Sequence, residues 1–393
     1  MFTAGFAMRE TAMRREDQII QAKKLLAYLD SRSTALAETI YRNPVSGYTC
    51  PQQAAREREL FFRKGVINIG LSCLLPKPGD WMTHDYTGLP LLLARRGDGS
   101  LGAFLNVCRH RGARVAEGSG HAAAGFTCPY HGWCYGLDGA LVARPDEPSF
   151  AAAERATHGL TPLPAVEKYG MIWVGLEPGM TVDVDARLAG LGTDLAAYGL
   201  ETYHHYETRV LRRKMNWKLA VDTFGETYHL QHLHPETVSP LFHSNRCTFD
   251  AFGPNHRMVA ARRTFEELRG LPEEEWDVLD HTVVICVLFP NTVFTYQRDH
   301  VETWHMFPGD SAEETVMYVS LYIPEPVDNP KAKQHWDNNF NLLMATVERE
   351  DFPTCEGMQR GFHSAAQDAI TFGRNEPALQ HFHKSIRAAL AAA

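Results

Sequence analysis

The pattern of hydrophobic and polar positions changes twice along the chain. In residues 1–47, Ile19, Ile20, Leu25, Leu26, Tyr28 and Leu29 recur at helical spacing around Lys23, Lys24 and Asp30. That predicts an amphipathic helical segment, closed by Asn43-Pro44. From about Trp81 short apolar runs alternate with turn signals. Runs 89–95 and 101–107 flank Gly97-Asp98-Gly99, which predicts a hairpin, and Asp138-Gly139 repeats the signal. Further on, 171–175, 282–289, 292–296, 301–307 and 316–323 predict strands of a larger antiparallel sheet. The stretches 217–234 and 336–351 predict helices. The expected organisation is α+β. A helical segment (1–47) packs on the last domain, and a small all-β domain (48–165) precedes a larger antiparallel-sheet domain (166–393).

A length of 393 residues suits two compact units. The net charge of −8, with no long basic run, excludes an electrostatic nucleic-acid binder and a polybasic membrane anchor. The most apolar run, 283–289, is about a third of the roughly 20 residues a membrane-spanning helix needs. Residues 1–15 carry Arg9, Glu10, Arg14 and Arg15 around no apolar core, so no secretory signal is expected. The eight cysteines are then expected as reduced thiols or metal ligands in a cytoplasmic protein. Gly190-Leu191-Gly192 has Leu195 where a third glycine belongs and no strand before it, so no dinucleotide site is expected.

Two clusters carry chemistry. Cys108-Arg109-His110 and Cys128-Pro129-Tyr130-His131 each place a thiol and an imidazole on a loop in the small β unit. Two thiolates and two imidazoles can hold zinc, or a [2Fe–2S] cluster with cysteines on one iron and histidines on the other. Zinc modules pair like with like, whereas Cys-His twice over is the iron–sulfur pattern. Through CRH at 108–110 and CPYHGWCY at 128–135 the chain resembles the Rieske family. Members from respiratory chains carry an extra cysteine in each loop, joined as a disulfide. Here those places hold Ala113 and Tyr130. The resemblance therefore points to the oxygenase branch, and Cys134 is expected as a packed strand residue.

The second cluster lies in Glu226-Thr-Tyr-His229-Leu-Gln-His232-Leu-His234-Pro235. At about 100° per residue, His229 and His234 do not share a face of a regular helix. They can converge if the helix carries a π-bulge or ends, and Pro235 is consistent with an end at His234. On helix geometry His232 is an equal rival. Two histidines and a carboxylate with open positions mark a non-haem Fe(II) oxygenase. Trp336, Phe340, Leu343, Met344 and Val347 form one stripe, and Asp351 continues it, with Glu350 only slightly off it.

The resemblance extends here. Rieske non-haem iron oxygenases carry NWK, then (D/E)xxYHxxxxH, and later an acid ahead of ExxQ. Asn216-Trp217-Lys218, Glu226, Tyr228-His229, His234, and Asp351 ahead of Glu356 and Gln359 match in order. The resemblance implies a catalytic α subunit of the aromatic ring-hydroxylating type, with a helix-grip (START-like) catalytic domain. It implies a [2Fe–2S] cluster on Cys108, His110, Cys128 and His131, and a mononuclear iron on His229, His234 and Asp351. Glu226 becomes the bridge to the cluster of an adjacent subunit, within a homotrimer. Electrons come from a separate NAD(P)H-dependent reductase, with or without a ferredoxin. The implied reaction is hydroxylation of a small aromatic substrate. The alternative is monooxygenation or demethylation of a quaternary ammonium, N-methyl or methyl-ether compound. Glu at the bridge, where most ring hydroxylases have Asp, belongs with that alternative. Asp222, at a place where many members carry Asn, has no expected role. A cation pocket would need aromatic faces, for which Phe289, Phe294, Tyr296 and Trp304 are available. His204, His205, His381 and His383 are expected to be structural.

Overall fold

The computed structural model describes residues 13–393; Arg9 and Glu10, used in the signal-peptide argument, lie outside the described residues. The chain divides into two compact units, residues 56–184 and residues 13–55 with 185–393. The unit begins at 56 rather than the expected 48, and its end lies past the expected 165 because of one hairpin. Met171–Gly175 does not join the larger sheet; it pairs with Ala165–Lys168 and Val66–Leu71 inside the smaller unit. Its uniform burial reads like a core strand of either unit. Only the Tyr169-Gly170 turn, with both φ values positive (57° and 67°), marks it as the return arm of a tight hairpin.

Apart from the end of the helix Pro51–Phe62 and a few single helical turns, the smaller unit is β. The expected hairpin forms with Leu91 opposite Leu105 across the Gly97–Gly99 turn, where Asp98 accepts from the backbone and hydroxyl of Ser100. These strands belong to a five-stranded sheet, beside two three-stranded sheets. The five-stranded sheet and the sheet of Phe126–Thr127, Cys134–Tyr135 and Leu141–Ala143 share a core of Leu92, Phe104, Phe126, Trp133 and Tyr135, which includes the thiols of Cys108 and Cys128.

The larger unit is built on seven antiparallel strands. Six run as a meander from Phe242–Phe252 to Thr315–Ile323, and His204–Arg213 closes the far edge against the last of them. Thr282–Leu288 and His300–Pro308 are buried at every position, so both faces are covered. Strands covered on both sides read as continuous apolar runs, and these are the ones the pattern finds. The strands it misses, His204–Arg213, Phe242–Phe252 and Asn255–Arg262, carry charges that are paired in the fold. Arg209 binds Glu207, and Arg257 binds Asp194 and Asp250.

Three expected helices are corrected. Among the described residues of 1–47, Arg15–Ser31 is a helix, Tyr41–Pro44 is a strand on Ala369–Phe372, and a one-turn helix, Ser46–Thr49, begins at the end of the segment. The longer helix buries Gln18, Gln21, Ala22 and Leu25 and leaves Ile20 exposed, because Gln21 reaches the carboxylate of Asp250. The stretch 217–234 is two short helices, Trp217–Asp222 and Leu230–Leu233. Gly225 sits between them, where any Cβ would strike Leu379. The stretch 336–351 is the end of Pro330–Thr346 followed by a π turn, Val347–Asp351. Pro353, which has no N–H to give to a helical carbonyl, lies two residues past that turn.

One buried polar cluster on the sheet sets a pH dependence. Glu302, 2% exposed, accepts from Thr295, Gln297 and His300, and Asp299 holds the other nitrogen of His300. Burial alone lowers the His300 pKa, but the two carboxylates outweigh it and hold it at about 9. A raised imidazole stabilises fully below its unfolded value of ~6.5 and loses that contribution as pH rises through about 9. We expect wild type to lose up to about 3 kcal/mol more than His300→Gln between pH 6 and 10 in urea titrations. Parallel pH profiles for the two proteins would contradict this.

Candidate metal centres

In the smaller unit two loops of the same construction face each other. Cys108 N–H donates to Ala113 O (2.8 Å) and Gly112 N–H to Cys108 O (2.9 Å); Cys128 N–H donates to Trp133 O (2.8 Å) and Gly132 N–H to Cys128 O (3.0 Å). Each loop therefore reverses over the same spacing, with its cysteine at the start and a glycine at the fourth position beyond. Gly112 and Gly132 have φ of +82° and +69°, the left-handed region that a side chain disfavours. Asn106 braces the first loop, accepting from Val115 and Ala116 and donating to Ala116 O.

The result brings together the four residues expected from the sequence. Both thiols are buried, and the His110 and His131 rings meet edge to face at 4.6 Å. Burial pushes the Cys128 thiol up, so a neutral environment would keep it protonated and a metal would remove that proton. Burial, His131 and Arg111 lower the His110 pKa, keeping that ring neutral, and its buried Nδ1 has no hydrogen-bond partner. A neutral imidazole with an unpartnered nitrogen beside two buried thiols fits a metal cluster. Tyr135 places its hydroxyl 3.3 Å from Cys108 Sγ and accepts the Arg109 N–H. Cys134 lies on a short strand, with Sγ near Gly132 O.

In the larger unit His229, His234 and Asp351 bring one ligand atom each within 4.8 Å of one another. Nε2 of His234 lies 3.1 Å and Nε2 of His229 3.7 Å from the same oxygen, Asp351 Oδ1. The other nitrogen of each ring is committed elsewhere. His229 Nδ1 bonds Glu226 Oε1, and Glu226 Oε2 takes the backbone N–H groups of Tyr228 and His229. His234 Nδ1 bonds Glu350 Oε2 at 2.6 Å, and Thr237 steadies that carboxylate at 2.7 Å. Carboxylate–imidazole pairs of this kind fix the tautomer and aim Nε2 at a metal. The donor set of two neutral-nitrogen ligands and one carboxylate fits Fe(II) with open positions.

The alternatives left open by the sequence separate here. His232 is exposed and lies outside the convergent set. Glu350, the rival of Asp351, grips the far side of His234 instead. His234 carries a raised pKa: burial lowers it, and Asp351 and Glu350 more than compensate. Asp222 also acquires partners that the sequence did not signal. Tyr48 donates to it at 2.7 Å and His383 at 2.8 Å, and Asn43 donates to the Tyr48 oxygen. Phe294 and Tyr296 pack on Tyr198, on the sheet face that Thr303 and Val301 share. Trp304 is on the opposite face, 5.1 Å from Phe224 and 6.3 Å from Phe352.

A cavity of about 410 Å³ reaches His229 and Asp351. Its walls are apolar side chains such as Leu219, Leu233 and Leu379, with Asp222, Glu226 and Glu376 among them. No lysine or arginine lines it among the described residues. Burial and the neighbouring Glu226 and Asp222 carboxylates raise the Glu376 pKa.

Comparison with known proteins decides the family. The Rieske [2Fe-2S] domain model matches residues 67–166, and the catalytic domain of the ring hydroxylating alpha subunit matches 200–392. The carnitine monooxygenase oxygenase subunit of Escherichia coli K12 is 32% identical over 372 residues, 88% of this chain and 95% of that one. The chain belongs to the Rieske non-haem iron oxygenases. It is a catalytic α subunit, an oxidoreductase that uses a [2Fe–2S] cluster and a non-haem iron. Such α subunits work with a separate reductase. Choline monooxygenase of Spinacia oleracea is 26% identical, over 88% of this chain and 77% of its own length. In fold, the quaternary ammonium Rieske monooxygenase solved with L-carnitine superposes with a TM-score of 0.75 at 22% identity, over 90% and 96% of the chains. Naphthalene 1,2-dioxygenase from Rhodococcus sp. gives 0.71 at 16%, over 95% and 98%. No helix among the described residues of this oxygenase is long and apolar enough to cross a membrane.

The Glu350 grip on His234 is testable. Glu350→Ala frees His234 Nδ1, and we expect iron affinity to fall by about 10- to 100-fold while the visible spectrum of the cluster is unchanged. Iron content equal to wild type after dialysis against a chelator would overturn that role.

Proposed function

We propose that this Rieske oxygenase is a monooxygenase of small quaternary ammonium compounds. The observation that carries the reading is the cavity beside His229, with its carboxylates and apolar walls and without a basic side chain. Clustered carboxylates repel an anionic ligand and attract a permanent cation, whose methyl groups suit apolar walls. The relatives support the same class, since carnitine, choline and glycine betaine monooxygenases are among them. Glu at position 226 agrees with it too. Naphthalene 1,2-dioxygenase, at 16% identity, is alike in fold alone.

In this reading Cys108, His110, Cys128 and His131 hold the [2Fe–2S] cluster, and His229, His234 and Asp351 hold the iron. Bound, the two centres supply single electrons and the activation of O₂. The chain's own groups do the rest. Glu226 keeps the His229 ring in one tautomer through Nδ1 and is the bridge toward His131 of the partner subunit. Glu350 does the same for His234. The Asp222 carboxylate is held toward the cavity by Tyr48 and His383, and adds to the negative field there. A bridge between copies requires a closed ring of subunits, and a homotrimer is the arrangement we assign. Cysteines outside any disulfide among the described residues fit a cytoplasmic enzyme.

Single turnover of the reduced holoenzyme under ¹⁸O₂ tests the substrate class. Trimethylammonium compounds are expected to give a singly labelled product or to lose a nitrogen substituent. Their uncharged tert-butyl analogues are expected to react at least tenfold more slowly. A doubly labelled diol from an aromatic acid would overturn the proposal. For the bridge, Glu226→Gln is expected to leave cluster and iron contents intact and cut turnover by 100-fold or more, because the hydrogen-bonded carboxylate link is lost. Turnover within threefold of wild type would remove Glu226 from that role.

A further inference from the structure

The cluster loops lean on a cation that ligand chemistry does not require. Trp133, 2% exposed, lies flat against His110, with ring centroids 5.0 Å apart and planes 6° from parallel. On the indole sits the guanidinium of Arg144, 5.4 Å from its centroid and equally close to Phe150. Phe150 in turn meets His110 edge to face at 5.5 Å. The Arg144 side chain is 2% exposed, and its Nη1 is buried without a partner. Its other nitrogens bond Glu147 and the carbonyl of Phe150. Glu147, 40% exposed, is shared with Arg155. The Arg144–Glu147–Arg155 group therefore carries one net positive charge, with Arg144 its buried member.

We propose that Arg144 is a positioning and electrostatic residue for the Rieske cluster. Its charge, delivered through the Trp133 stack onto the His110 side, raises the cluster's reduction potential. The physics is direct. Reduction adds one negative charge to the cluster, and a cation held in a low-dielectric wall favours the reduced form. The indole also prevents water from screening the charge along that path. A surface arginine at the same separation would be screened by solvent. The orphaned Nη1 shows that burial of this guanidinium costs hydrogen bonding, which its contacts with two aromatic faces offset only in part. Exposed Arg109 and Arg111 lie closer in sequence to His110 but face solvent.

The test is the midpoint potential of the holoenzyme cluster, followed by EPR or circular dichroism during a dithionite titration. Arg144→Gln is expected to lower the potential, cutting the reduced-to-oxidised ratio at a fixed poise by about three- to tenfold. Arg144→Lys keeps the charge and is expected to remain within about twofold of wild type. Glu147→Gln removes the exposed counter-charge and is expected to shift the ratio the other way, which keeps the test open if Arg144→Gln fails to assemble. An unchanged potential in Arg144→Gln with an intact cluster spectrum overturns the proposal. So does a Lys variant as low as the Gln variant, because the effect would then be packing rather than charge. A Glu147→Gln potential at or below wild type also overturns it.

Discussion

The larger unit depends on one constraint: both nitrogens of His229 and of His234 must be spoken for. Each Nδ1 is held by a carboxylate, and each Nε2 is turned toward Asp351 Oδ1. Three carboxylates thus crowd two imidazoles in a partly dehydrated place. Such a cluster is unfavourable unless a cation joins it. The raised pKa of His234 expresses that deficit as affinity for a proton. A divalent ion meets the same need with more charge, so the donor set is arranged around a metal's charge as much as around its coordination.

The backbone bends to satisfy that constraint in two places. The first helix ends at Asp222, and Glu226 then folds back to take the N–H groups of Tyr228 and His229, just ahead of the next helix at Leu230. His234 then falls where that helix stops, with φ −118°. On the other side, the π turn at Val347–Asp351 widens the helix where two neighbouring acids must reach opposite edges of one ring. Glu350 meets His234 at Nδ1 and Asp351 meets it at Nε2. Consecutive residues of a regular α-helix diverge by about 100°, which works against that pincer.

How much of this was legible in the sequence follows from what each signal reports. The twin loops are legible because residue types and spacing are local, and the two reversals need only Cys, His and Gly at short offsets. The covered strands were legible because burial on both faces leaves an apolar run. The edge and outer strands were not, because Arg209, Arg257 and Asp250 are balanced by partners that sequence periodicity does not register. The strand at 171–175 belongs to the smaller unit rather than the expected larger sheet, since an apolar strand does not name its neighbour. For the convergent His229, His234 and Asp351, periodicity finds the segments but reads each as one regular helix. Glu350 shows the limit. Its distance from the apolar stripe argued only about burial, and its task depends on a histidine 116 positions away.

Substrate class is harder to read, and the sheet shows why. Phe294, Tyr296 and Trp304 all lie on fully covered strands, so hydropathy ranks them alike. Register separates them: Trp304 stands opposite Val293, while Phe294 stands opposite Thr303 on the other face. Only Trp304 therefore turns toward Phe352, the residue next to Asp351. The charge of the cavity is equally non-local. Asp222, Glu226 and Glu376 come from separate segments, and no stretch of sequence looks acidic on their account. Motifs identify the family because metal chemistry demands particular residue types, several of them at short spacing. Selection of a cation demands only a field, and a field can be assembled from any positions that the fold brings to one wall.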